Sequence, residues 1–193
     1  ADELRPGYRG ATLAPWPNRV VDGRYRFAGV DHRLPLTEPE RGHALHGLLV
    51  WADFAVSEQE SDRVVLSATV VPQAGYPFRV RVDVEYRVGA EGLAQTVTGT
   101  NVGADPAPWG TGPHPYLVAG EGNVDEWTLT LPASEVLTVT EDRLIPLAVE
   151  HIDAHPEFDF RAPRVIEGTF IDHAFTRLER TDGSARVTVA VTV

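Results

Sequence analysis

The sequence contains no cysteine and no methionine. Without cysteine there are no disulfides, no thiolate zinc sites and no cysteine nucleophile. The composition fits a reducing cytosol, so a cytoplasmic location is expected. Without methionine the chain does not begin at a start codon, which raises the expectation of a piece of a longer polypeptide. Long apolar runs are also missing. No stretch approaches the roughly 18 uninterrupted apolar residues of a membrane helix, and the opening Ala1-Asp2-Glu3-Leu4-Arg5-Pro6 has no signal-peptide pattern. Basic charge is scarce: 17 Lys and Arg stand against 28 Asp and Glu, a formal net charge of −11. Such a field repels phosphate backbones, and Arg79, Arg81 and Arg87 are interleaved with Asp83 and Glu85 rather than gathered in a patch. Nucleic acid and membrane partners are therefore not expected. A Gly-x-Ser-x-Gly elbow and a Gly-Lys-Ser/Thr phosphate loop are absent too, which sets aside serine hydrolase and nucleotide chemistry.

What is present has a period of two. Over 78–88, Phe78, Val80, Val82, Val84, Tyr86 and Val88 alternate with Arg79, Arg81, Asp83, Glu85 and Arg87. Successive strand side chains point to opposite faces, so this is an antiparallel strand with one buried and one wet surface. Weaker strand signals occupy 24–30, 51–56, 64–71, 93–100, 127–131, 136–140, 174–178 and 185–193. A short helix is expected near 149–155. Turn residues such as Ala28-Gly29, Ala74-Gly75 and Gly89-Ala90-Glu91-Gly92 separate the strands. Many short strands with 17 Gly and 15 Pro between them predict an all-β antiparallel sandwich, read as one domain over 1–193. The β-branched run at 187–193 ends without a closing turn, so it reads as a strand edge that a second copy could pair with, and a homodimer is open.

Four segments carry more polar chemistry than a sandwich needs. Pro15-Trp16-Pro17-Asn18-Arg19 presents a planar fork of donors beside an amide, a set suited to sugar hydroxyls and equally to a loop staple in which Arg19 pairs with an acid. Glu38-Pro39-Glu40-Arg41-Gly42-His43-Ala44-Leu45-His46-Gly47 invites a metal reading with Glu38 or Glu40. Its Pro and Gly residues argue against the helix that His43 and His46 would need to share a face. His43 reads as an exposed loop residue, and one histidine here is left with an acid–base or hydrogen-bonding role. In Gly112-Pro113-His114-Pro115-Tyr116 the two prolines stiffen the backbone around His114, as a general acid requires, although a rigid turn has the same look. Phe170-Ile171-Asp172-His173-Ala174-Phe175 sets a carboxylate among apolar residues, to accept a diol, orient a histidine or sit exposed at a strand edge. His151 and His155 have helical metal spacing, but Pro156 follows at once, and they read as surface.

Taken in order, P-W-P-N-R-V with D-G-R-Y-R-F, E-P-E-R-G-H-A-L-H-G, G-P-H-P-Y-L and F-I-D-H-A-F resemble the aldose 1-epimerase (galactose mutarotase) family, its bacterial branch in particular. The resemblance implies a galactose mutarotase-like β-supersandwich and an isomerase interconverting hexose anomers without metal or cofactor. It further implies that His114 protonates the ring oxygen and that His46 binds the sugar and assists near the anomeric centre. Asn18 and Arg19 would hold hydroxyls, Asp172 would accept bonds from them, and the two histidines and Asp172 would meet around one pyranose. The family's general base is a glutamate in a C-terminal R-x-x-x-x-x-E-P setting, and no such setting occurs here. Its N-terminal strands also have no counterpart, so truncation at both ends and weak or no activity are expected. The alternatives are a non-catalytic sugar-binding or sugar-sensing sandwich and a cupin-like metal enzyme using His43, His46 and His114.

Overall fold

In the computed structural model, residues 6–178 are described; the strand expected at 185–193 lies outside them. They fall into two compact units, one reaching Tyr116 and one beginning at Leu117. Neither contains an α-helix among the described residues. No helix there is long and apolar enough to cross a membrane.

The first unit holds strands β1 (Thr12–Leu13), β2 (Arg19–Val21), β3 (Arg24–Phe27), β4 (Val30–Arg33), β5 (His43–Leu45), β6 (Ala55–Gln59), β7 (Arg63–Val70), β8 (Val80–Gly89), β9 (Gly92–Asn101) and β10 (Gly112–Pro113). Its largest sheet is antiparallel, in the order β6-β7-β8-β9. The alternating run at 78–88 is its central strand, β8. Val80, Val82 and Val84 are buried while Arg81 is exposed. The pattern fails only at the far end, where Val88 is 60% exposed because the strand outruns the core. The buried face packs on Ala14, Leu34, Ala44, Leu49, Val70 and Tyr76, with Trp16, Tyr25, Phe54 and Phe78 around them. Each such valine contributes roughly 1.5–3 kcal/mol by leaving water. On the wet face Arg63 bonds Glu58 and Glu85, Arg81 bonds Asp83, and Ser67 bonds Asp83. These pairings hold the Asp83 and Glu85 carboxyls below their ordinary range.

The strand expected over 24–30 is a hairpin. β3 and β4 pair antiparallel around Ala28 and Gly29, both at positive φ, as a two-residue hairpin turn requires. The strand expected at 51–56 begins later, at Ala55, because Leu49 to Ala52 close a turn.

The second unit holds β11 (Thr128–Leu129), β12 (Ala133–Val139), β13 (Pro146–His151), β14 (Arg164–Val165) and β15 (Ala174–Leu178). β12 lies between β13 and β15, both antiparallel to it. The helix expected near 149–155 does not form. β13 runs to His151 in register with Glu135, and two 3-10 turns follow, Ile152–Ala154 and Pro156–Phe158. Pro156 disfavours the helical conformation at His155, so no longer helix can continue.

Candidate active site

Two elements of the first unit each deliver one imidazole. β10 pairs with β1 through Thr12 and Pro113, and beyond that pair the His114 amide donates to the Ala11 carbonyl at 3.1 Å. The His114 carbonyl accepts from the Gly10 amide at 2.9 Å. His114 is thus tied on both sides of its backbone, besides standing between Pro113 and Pro115. His46 follows β5, which pairs with β2 so that Leu45 faces Arg19 and His43 faces Val21. Its own backbone is left-handed, φ 63°, and its amide donates to the Asn18 carbonyl at 2.9 Å. Gly47 makes this possible. At φ +79° a Cβ there would stand 2.2 Å from the Ala14 carbonyl oxygen, and only glycine passes. The next amide, Leu48, donates to that same carbonyl at 2.7 Å.

The outcome is an edge-to-face pair of imidazoles, His46 and His114, with ring centroids 5.4 Å apart at 80°. Both are half-buried. Tyr8 lies against both, 4.9 Å from the His46 ring and 6.1 Å from that of His114. Trp51 stands 5.8 Å from Tyr8, and Tyr116 stacks on His114 at 5.8 Å and 22°. Tyr116 falls in the G-P-H-P-Y-L motif, whereas Tyr8 and Trp51 are marked by no pattern in the sequence. Trp51 closes the His46-Gly47-Leu48-Leu49-Val50-Trp51 run, but a loop tryptophan has no periodicity to mark it.

Arg19 opens β2 just after Asn18, beside His46, and both side chains are committed to a network. The Arg19 guanidinium donates to both Glu38 carboxylate oxygens, at 2.7 and 2.8 Å, and to the Asn18 side-chain oxygen at 3.1 Å. Arg41 adds a bond to Glu38 at 3.1 Å. The hydrogen bonds from Arg19, then those from Arg41, hold the buried Glu38 carboxyl below its ordinary range, overcoming the opposite pull of desolvation. The staple reading of this segment therefore describes part of what Arg19 does. Glu38, first weighed as a metal ligand, is the acid in the staple.

His43 requires a correction. It was expected to be an exposed loop residue, yet it is fully buried. It sits in β5, where pairing with Val21 and a bridge to Glu38 enclose it. Asp172 lies in the second unit, exposed, two residues before β15 begins, and its amide meets the His173 ring at 3.3 Å. His155 in that unit bonds Glu150 at 2.5 Å, and this bond raises its pKa. No group of three His, Asp or Glu side chains among the described residues is arranged to hold a metal ion. A hollow of about 620 Å³ opens on the wet face of the β6–β9 sheet, away from the imidazoles. Its charged walls pair with one another.

The sequence model of the family described as aldose 1-epimerase matches residues 2–191. The chain belongs to the aldose 1-epimerase family. A curated family relative, the uncharacterized protein YihR of Escherichia coli K12, is 38% identical over 175 residues, covering 90% of this chain and 56% of that protein. Among solved structures, a GalM/aldose epimerase homologue from C. elegans matches with a TM-score of 0.74 at 24% identity, over 85% of this chain and 51% of the other. Galactose 1-epimerase from Lactobacillus acidophilus NCFM matches with a TM-score of 0.70 at 22% identity, over 85% and 50%. These likenesses show the fold, the all-β mutarotase sandwich. The chain spans about half the length of the relatives it matches.

Proposed function

We propose that this chain carries the sugar-gripping and proton-donating half of an aldose 1-epimerase site acting on an unmodified hexose. The observation that supports it most is the His46–His114 pair, two half-buried imidazoles held by backbone bonds within 5.4 Å, next to Asn18 and Arg19. A general acid must aim its proton at one atom, and fixed placement is what makes this possible. In the proposed step His114 gives a proton to the ring oxygen while a base takes the anomeric hydroxyl proton. The C1–O5 bond breaks and an aldehyde forms at C1. Rotation about C1–C2 and reclosure by the reverse transfers yield the other anomer. His46 supports the sugar near the anomeric centre, and Asn18 and Arg19 hold hydroxyls. A hydroxyl-accepting role for Asp172 rests on its F-I-D-H-A-F setting rather than on any distance.

One well-placed acid or base contributes ~10²–10⁴-fold, so His114→Asn is expected to slow mutarotation by about that factor. A second reading is a sugar binder without turnover, for which the Asn18 and Arg19 groups beside His46 would suffice. Polarimetry on freshly dissolved α-D-galactose and α-D-glucose, with sugar binding followed by NMR, separates the two. Acceleration lost in His114→Asn supports the epimerase. Binding without acceleration supports the binder. A chain that neither binds nor accelerates sinks both.

A further inference from the structure

Glu38 is 5% exposed, a buried carboxylate that the proton transfers described above leave unused. Its backbone is fixed as firmly as its side chain. The Glu38 amide donates to the His43 carbonyl at 3.0 Å, and its own carbonyl accepts from Gly42 at 2.9 Å and His43 at 3.1 Å. The acid thus stands at the base of the turn that leads into β5 and on to His46. From there it grips the Arg19 guanidinium through two bonds, one to Nε and one to Nη2. A bidentate grip fixes the plane of the guanidinium, which a single bond would leave free to turn. In that plane Nη1 donates to the Asn18 Oδ1. A guanidinium has no lone pair to offer, so the amide meets it with its oxygen, and the NH2 end is left for a ligand. The Asn18 backbone carbonyl meanwhile accepts from the His46 amide. One line of bonds therefore runs from Glu38 through Arg19 and Asn18 to the main chain of His46.

We propose that Glu38 is a positioning residue, which fixes Asn18 and Arg19 as a pair that gives hydrogen bonds to ligand oxygens and takes none. This rests on the sugar-binding reading above and adds the polarity of the contact. The ligand face that fits such a pair is a set of neighbouring oxygens with lone pairs turned to the protein, as a pyranose diol presents. Because Glu38 holds Arg19 before a ligand arrives, binding does not have to order that long side chain. Asn18 is held in the same way, its amide turned by the guanidinium beside it.

The test uses the full chain, D-galactose as probe, dissociation constants from NMR titration, and urea unfolding to show that each variant folds. Asn18→Asp keeps an oxygen for Arg19 and loses the NH2. It should fold as wild type does and weaken galactose by about five- to tenfold. If Asn18 met the sugar with its oxygen instead, the aspartate variant would bind galactose as well as wild type or better, and that result overturns the donor pair. Glu38→Gln should weaken galactose by a similar factor, and in an Arg19→Met background the same change should have no further effect. An equal loss in both backgrounds makes Glu38 a structural residue only and overturns its positioning role. Where Glu38→Gln does not fold, the Arg19 Nε–H signal of the wild type decides. The bond to Glu38 should slow its exchange with water, and exchange as fast as that of exposed arginines overturns the grip. Wild-type protein that binds no galactose overturns the sugar site itself, and the donor pair with it.

Discussion

At the scale of single residues, buried charge holds the segment beside His46. Glu38 is the strongest case, its carboxylate shared by Arg19 and Arg41 at 6% side-chain exposure. Removing it leaves the Arg19 guanidinium half-buried without its acid, and Glu38→Ala is expected to cost about 3 kcal/mol in urea unfolding at neutral pH. The pH dependence has a definite sign. Because the folded pKa of Glu38 is depressed, its contribution is complete above the unfolded value near 4.3 and is lost as pH falls through the folded one. Unfolding midpoints of Glu38→Gln should fall less steeply than wild type between about pH 5 and pH 3. Equal slopes would remove Glu38 from the account. Gly47→Ala should also destabilise, by at least the ~1–2 kcal/mol of a left-handed alanine, and should shift the NMR signals of His46 before those of His114.

At the scale of elements, the sequence reading was good where a strand is long and weak where it is short. β8 could be read residue by residue because its apolar and charged residues alternate, and Val80, Val82 and Val84 are the buried set. The prediction there is correspondingly sharp. Val82→Ala should lose about 2 kcal/mol and Arg81→Ala under about 1 kcal/mol, measured by urea denaturation. β1 and β10 have two residues each, too few for any period to register, yet their pairing is what seats His114. His43 was misplaced for a related reason. Gly42 and Pro39 look like loop chemistry, and only the pairing of β5 with β2, between residues distant in sequence, shows that the short segment after them, His43–Leu45, is buried. The motif histidines were found through resemblance, and Tyr116 came with the same G-P-H-P-Y-L motif, while Tyr8 and Trp51 had neither motif nor period to announce them. Loops between elements are secured individually. Tyr76, whose phenol burial pushes up to about 12, donates to the Pro108 carbonyl at 2.7 Å. Tyr76→Phe should cost about 1 kcal/mol and loosen the segment holding Trp109.

At the scale of the whole molecule, the titrating groups divide by sign. Glu38, Asp83 and Glu85 in the first unit and Asp159 in the second have depressed pKa values, Asp159 held down to about 2 by hydrogen bonds from Arg161. Their contributions fade in acid. His155 runs the other way. The Glu150 hydrogen bond raises its pKa, so its contribution is complete below the unfolded value near 6.5 and is lost as pH rises through the folded one. Thermal unfolding followed from pH 3 to pH 9 should peak between these limbs, and His155→Gln should flatten the alkaline limb alone. The ribbon from Gly10 to Ala14 has a different consequence. It bonds His114 through both backbone groups and, through the Ala14 carbonyl, receives the Leu48 amide just beyond His46. Both imidazoles therefore hang from one short piece of main chain, while β6 to β9 form their ladder without it. A single protease nick there should yield a protein that still folds its large sheet and no longer holds the two imidazoles together.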